Sequence, residues 1–280
     1  MGDRTKIDWC DASWNPVTGC FHKCEYCYAR RIAERFSMPY APSLGDPGME
    51  GAAKWDSDEG MDTMLELVKP YKKYGESQPY PMGFYPTFHG YRLNEPKRWK
   101  KPRTIFVCSM ADLFGDWVPD EWIIKVLDAC RKAPQHRYLF LTKNPRRYDE
   151  LEEKDIITGR DTNFWLGSTC TTLNDKLHFN SALHTFMSCE PMLKPWFPAT
   201  EPNKESMREG RLPEWVIFGA ETGNRKDKVI PKKEWVDNAV QMCRNMKAKV
   251  FMKESLREIM GADFIQEFPW EDKSHDDSRG

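Results

Sequence analysis

The sequence predicts an α/β fold, a partial or complete (β/α) barrel of the TIM type with six to eight parallel strands and an insertion after the first helix. Three observations lead there. Short apolar runs rich in β-branched and aromatic residues recur along the chain, separated by helical or loop segments. Some separating segments carry an apolar stripe at helical spacing, and a parallel connection needs such a crossover. The residues just after each apolar run are polar, as they are on the working face of a barrel. A doubly wound open sheet fits less well, because no Gly-x-Gly-x-x-Gly turn follows a candidate strand and no Walker-type phosphate loop is present.

In chain order, residues 13–17 form the first candidate strand and lead into a cysteine-rich loop. Residues 38–81 break the alternation with many Gly, Pro and Met residues and read as an insertion, with a short helix expected around 61–74. Candidate strands follow at 83–88, 104–109, 137–142, 163–168, 184–189, 214–220 and 249–252. A helix over 119–132 places Trp122, Ile123, Val126, Leu127 and Cys130 on one face, and a second over 232–246 does so with Trp235, Val236, Ala239, Val240 and Cys243. Cys130 and Cys243 read as small buried hydrophobes. Residues 1–270 are expected to be one barrel domain, with a polar loop at 200–211 and a flexible polar tail at 271–280.

The chain has 280 residues, and its 42 Lys and Arg against 43 Asp and Glu leave a net charge of −1, so nucleic-acid binding would have to come from local patches. No apolar run approaches the roughly 18 residues of a membrane span, and the charged start lacks the apolar core of a signal peptide. A cytoplasmic protein with reduced thiols and no membrane partner is expected. Nine cysteines, an odd number, argue against a disulfide framework.

Cys20, Cys24 and Cys27 form a Cys-x3-Cys-x2-Cys triplet with Tyr26 just before the last cysteine. A [4Fe–4S] cluster normally takes four cysteine ligands, so three leave one iron open to a small chelating molecule. A Cys3His zinc site from Cys20, His22, Cys24 and Cys27 is the alternative, although structural zinc sites usually pair two short clusters and no second one appears. At the ends of the later runs stand Ser109 and Asp112, Thr142 and Lys143, Ser168 and Thr169, Cys189 and Glu190, Glu221 and Thr222, then Lys253 and Glu254. With the cysteine triplet after the first candidate strand, seven such positions at one barrel mouth would make a polar cavity. Ser109, Ser168 and Thr169 have an alternative role in satisfying local backbone groups, and Glu190 and Glu221 one in capping a helix. Cys189, beside Glu190, is the candidate functional thiol, a hydrogen-atom donor.

The triplet and its aromatic residue resemble the signature of the radical S-adenosylmethionine (SAM) superfamily. That likeness implies a [4Fe–4S] cluster on Cys20, Cys24 and Cys27, with Tyr26 near the cofactor, SAM on the open iron, reductive cleavage to a 5′-deoxyadenosyl radical and hydrogen abstraction from substrate. It also implies an external one-electron reductant of the flavodoxin or ferredoxin type. Several runs together look like a phage and bacterial domain family described as radical-SAM-like and largely unassigned in substrate: Lys6-Ile7-Asp8-Trp9, Ser13 to Cys20, Cys27-Tyr28-Ala29, Ser109 to Phe114, Leu141-Thr142-Lys143, Ser188-Cys189-Glu190-Pro191 and Gly219 to Gly223. Ala220 and Thr222 depart from that family's usual Gly and Ser. A more distant likeness is to spore photoproduct lyase, where a serine, a lysine and a second serine on successive strand ends contact SAM. Ser109, Lys143 and Ser168 recur in that order, and the likeness implies that Lys143 meets the methionyl carboxylate.

On this reading Glu190, Glu221 and Lys253 orient substrate or move protons, and Asp112 adds a polar contact. The run Lys97 to Arg103 is a basic patch around Trp99, and Arg30-Arg31 and Arg146-Arg147 add positive charge. Such patches suit a phosphate backbone with a base stacked on Trp99, although a solvated basic loop accounts for them equally. With the family likeness, the expected substrate is a nucleobase or modified nucleotide in DNA. A free amino acid, nucleotide or peptide is the alternative, and a nonenzymatic zinc module that binds nucleic acid or protein is the second function class.

Overall fold

The computed structural model describes residues 5–37, 42–46, 48–56, 63–73, 75–172, 175, 177, 182–195, 213–223 and 225–271. The chain forms two compact α/β units, Met1–Ile156 and Ile157–Gly280.

In the first unit three parallel strands lie in the order Ala12–Trp14, Thr104–Val107, Arg137–Thr142. The middle strand is buried at all four positions, the continuous apolar pattern of a strand covered on both faces. Helix Asp120–Arg131 follows Pro119 and carries Asp120 and Glu121 in its first turn and Arg131 in its last, each sign favourable to the helix dipole. Its Trp122, Ile123, Val126, Leu127 and Cys130 are buried, as their spacing predicts, and each large side chain so covered contributes about 1.5–3 kcal/mol.

The predicted 13–17 strand divides at Asn15 and Pro16. Proline cannot donate to a ladder, and beyond it Val17–Thr18 joins a different, mixed sheet in the order Val17–Thr18, Thr87–His89, Thr63–Leu67, Ala53–Asp56. The expected 83–88 strand therefore lies outside the parallel set, as Thr87–His89. Expectation also fails at 61–74. Instead of a helix, Thr63–Leu67 is a strand that pairs on both sides, and Pro70 lies inside the span where it would break a helix. Residues 38–41, 47, 57–62 and 74 of the expected insertion lie outside the described residues.

In the second unit four parallel strands follow in chain order, Phe164–Thr169, His184–Cys189, Trp215–Phe218 and Lys249–Met252. Helix Lys233–Asn245 buries Val236, Ala239 and Cys243 against a core that includes Met187, Val216 and Val250. At the other end of these strands Trp270 packs on Trp165 and Trp215 at centroid distances of 5.5 and 5.1 Å, and the Trp215 indole N–H donates to the Glu267 carbonyl at 2.9 Å. The 200–211 loop and residues 272–280 lie outside the described residues. Among the described residues no helix is long and apolar enough to cross a membrane.

Candidate functional site

The cysteine loop of the first unit is fastened at its start by backbone. Gly19 has φ +88°, and a Cβ there would lie 2.2 Å from the Tyr85 carbonyl oxygen, so only glycine fits. Its N–H donates to the Met110 carbonyl at 2.9 Å, and the Cys20 N–H donates to that of Phe84 at 3.0 Å. At the loop's far end Cys27 caps helix Tyr28–Arg35, its sulfur accepting from the Arg30 N–H at 3.4 Å. Cys20 and Cys27 both pack beside Ala29, Ala33, Tyr80, Phe84 and Met110.

All three loop cysteines are free thiols and half-buried. Burial first, and then the Asp112 charge, push the Cys20 thiol up to about 12, with smaller upward contributions from Cys24 and Cys27. A bound cation reverses this logic and favours the thiolates. Among the described residues no group of three or more His, Cys, Asp or Glu side chains stands in a metal-holding arrangement. In chemical type, three soft sulfur donors on one short loop fit an iron–sulfur group.

Asp112 holds this loop to the strand ends. Its Oδ2 lies 2.7 Å from His22 Nε2 and accepts the Lys143 N–H at 2.9 Å. Its Oδ1 accepts the Thr142 hydroxyl at 2.7 Å and the Phe114 N–H at 3.0 Å. Burial acts to raise its pKa, but the His22 hydrogen bond and charge, with Lys143 and Thr142 after them, outweigh that and hold the carboxyl below its ordinary value. A carboxylate filled by four donors acts as a structural acceptor. The expectation of Asp112 as a catalytic group gives way to one of positioning.

Of the predicted cofactor contacts, Lys143 and Tyr26 meet: the ammonium lies 5.8 Å from the ring centroid. Ser109 is half-buried, with its hydroxyl donating to Asn15 Oδ1 at 3.2 Å, while its carbonyl accepts the Tyr28 hydroxyl at 2.6 Å. Asn15 also accepts the Met110 N–H at 2.9 Å and is itself buried. Sequence reasoning missed Asn15, whose signal was a polar residue before Pro16 in the middle of the first candidate strand.

In the second unit Lys253 Nζ pairs with Glu190 Oε1 at 3.0 Å, and the Ser188 hydroxyl donates to Glu190 Oε2 at 3.1 Å. Gly219 makes room for this pair, since a Cβ there would lie 3.0 Å from Glu190 Oε1 and 3.1 Å from Lys253 Cδ. Glu221 is clamped by Arg225, which donates from Nε at 2.6 Å and from its terminal nitrogen at 2.7 Å. Ser168 is fully buried within its strand. Cys189 is likewise fully buried, packed with Cys170, Met187, Met192 and Cys243, and burial raises its thiol well above the ordinary value. It sits in apolar core, the buried alternative open to a strand-end cysteine.

The basic patches differ from expectation as well. Trp99 meets His136 edge-on at 6.1 Å and lies under Arg103 at 5.2 Å, so its ring is engaged within the protein. Arg147 is paired with Asp120 and Glu150, and Arg146 with Glu150. Lys97, Arg98, Lys100 and Lys101 remain exposed.

A family model described as a protein of unknown function, DUF5131, matches residues 4–259 of the chain. No curated protein and no solved structure matches it.

Proposed function

We propose that this chain, which belongs to the DUF5131 family, is a radical SAM enzyme. The observation that carries the reading is the cysteine loop itself: three free thiols fastened by Gly19, Cys20 and Cys27 beside strand ends that also carry Ser109 and Lys143. Cys20, Cys24 and Cys27 would hold a [4Fe–4S] cluster that, with SAM and an electron from a flavodoxin- or ferredoxin-type partner, supplies a carbon radical. Lys143 offers its ammonium to a carboxylate, held where the Tyr26 ring lies alongside it. Ser109 offers a hydroxyl oriented by Asn15. In the second unit Glu190 and Lys253 form a charge pair suited to orienting a polar substrate and to holding or passing a proton at Glu190. Ser168 and Glu221 stay in the reading as buried polar groups of that unit.

The substrate this reading favours is a nucleobase or modified nucleotide in DNA, supported by the exposed Lys97, Arg98, Lys100 and Lys101. Binding to duplex or single-stranded DNA that weakens with salt, and further when these four residues are neutralised, is the expected result. Indifference to both turns the substrate toward a free amino acid, nucleotide or peptide.

Anaerobic reconstitution with iron and sulfide, followed by SAM and reductant, tests the core of the proposal through 5′-deoxyadenosine. Release of that product by the wild-type chain, and its loss in Cys24→Ala, is the expected outcome. Stoichiometric zinc with no iron–sulfur absorption would overturn it. That second reading, a zinc module, is favoured by one contact, the His22–Asp112 hydrogen bond, because metal-bound imidazoles usually make an outer bond to a carboxylate.

A further inference from the structure

His22 sits between Cys20 and Cys24, and its ring is gripped on two sides. Asp112 holds Nε2 at 2.7 Å, and Trp117 meets the ring edge-on at 4.8 Å. Asp112 in turn cannot swing, because Thr142, Lys143 and Phe114 donate to it from their fixed places at or near strand ends. Between the cysteines, Lys23 adopts φ +56°, a conformation a non-glycine residue keeps only where its surroundings impose it. The histidine's own backbone N–H reaches the Cys20 sulfur at 3.5 Å, so displacement of His22 is felt directly at a thiol.

We infer that His22 and Asp112 form a strut that fixes the cysteine loop against the segments carrying Asp112 and Thr142, with His22 a positioning residue and not a ligand. The inference rests on the proposed metal-holding role of the three thiols, yet the strut belongs to the metal-free loop and is measurable there. Nε2 is committed to a charge-assisted hydrogen bond, the strong class of such bonds. Asp112 gains no contact with reacting atoms from this arrangement. What it contributes is the registration of a loop near residue 22 against strand ends near residues 112 and 142.

The test uses the full chain, stripped of metal, and follows iodoacetamide labelling of each loop cysteine by peptide mass spectrometry. His22→Ala is expected to speed labelling of Cys20 and Cys24 about tenfold, the ratio carried by one hydrogen bond to a charged group, and Asp112→Ala, which also removes a charge that raises the Cys20 thiol, to do so at Cys24. His22→Gln, whose amide N–H reaches Asp112 over the same number of bonds, is expected to stay within about twofold of wild type. Wild-type labelling rates of Cys24 in both alanine variants would overturn the strut. Should Asp112→Ala fail to fold, His22→Ala carries the test from the partly exposed side, where its side chain is 23% accessible.

A second arm separates strut from ligand. After iron and sulfide loading, His22→Gln should release iron to a chelator as slowly as wild type, and His22→Ala markedly faster. Equal loss from both variants would make His22 a ligand and overturn the positioning role. If the wild-type chain takes up no iron at all, the proposed function falls, and the labelling arm still decides the strut.

Discussion

The two units handle buried charge in opposite ways. Near the cysteine loop the carboxylate of Asp112 is consumed by four donors, two of them backbone N–H groups, and the result is a fixed loop. In the second unit Glu190 pairs with the side chains of Lys253 and Ser188, the lysine on a flexible stem. Two glycines repeat the contrast. Gly19 faces a backbone carbonyl that cannot yield, whereas Gly219 faces the movable ends of Glu190 and Lys253. A carboxylate fixed by backbone donors suits holding a loop in place, and one paired with a flexible lysine suits, on the proposed function, handling a substrate or a proton.

Gly19→Ala tests the rigid side most severely. It is expected to destabilise the fold by about 3 kcal/mol in urea unfolding, since neither φ +88° nor the Tyr85 carbonyl tolerates a Cβ. A loss below about 1 kcal/mol would mean that the loop has an alternative path. Asp112→Asn comes next, at about 2 kcal/mol, because an amide presents a donor to groups that are themselves donors. Its pH signature has a definite sign. The folded carboxyl lies below its ordinary value, so its contribution is present above about pH 4 and is lost as pH falls through the lower folded value. Stability curves of the wild type should therefore fall more steeply in acid than those of Asp112→Asn.

On the mobile side the effects shrink. Glu190→Gln is expected to cost about 1 kcal/mol or less, reduced by solvent screening of a partly exposed pair and weakened further by salt. Gly219→Ala should fall within about 1 kcal/mol of wild type, as crowding of movable side chains is offset by a stiffer unfolded chain. If it matched Gly19→Ala, the contrast between the units would break.

The alternating α/β class and the parallel strands were legible because continuous apolar runs and helical stripes are local patterns. Strands Arg137–Thr142, His184–Cys189 and Lys249–Met252 fall where the sequence puts them. The strand Thr63–Leu67 was not legible, since its Met64, Leu65 and Leu67 suit either element and pairing with Thr87–His89 decides. At the site, the cysteine spacing names its own residues. Roles set by distant partners stayed hidden: Asp112 reads as one more polar strand end until His22, Thr142 and Lys143 are seen around it. The burial of Cys189 was open in the sequence because a strand-end position does not reveal that both neighbouring strands and a helix close over it.

The 90 residues separating His22 from Asp112 impose an order of events on the molecule's maturation. Thiols encoded near the start of the chain have no fixed geometry until the strand ending at Val107 and the one ending at Thr142 have been made and paired. On the proposed function, cluster loading would then be a late step, downstream of folding.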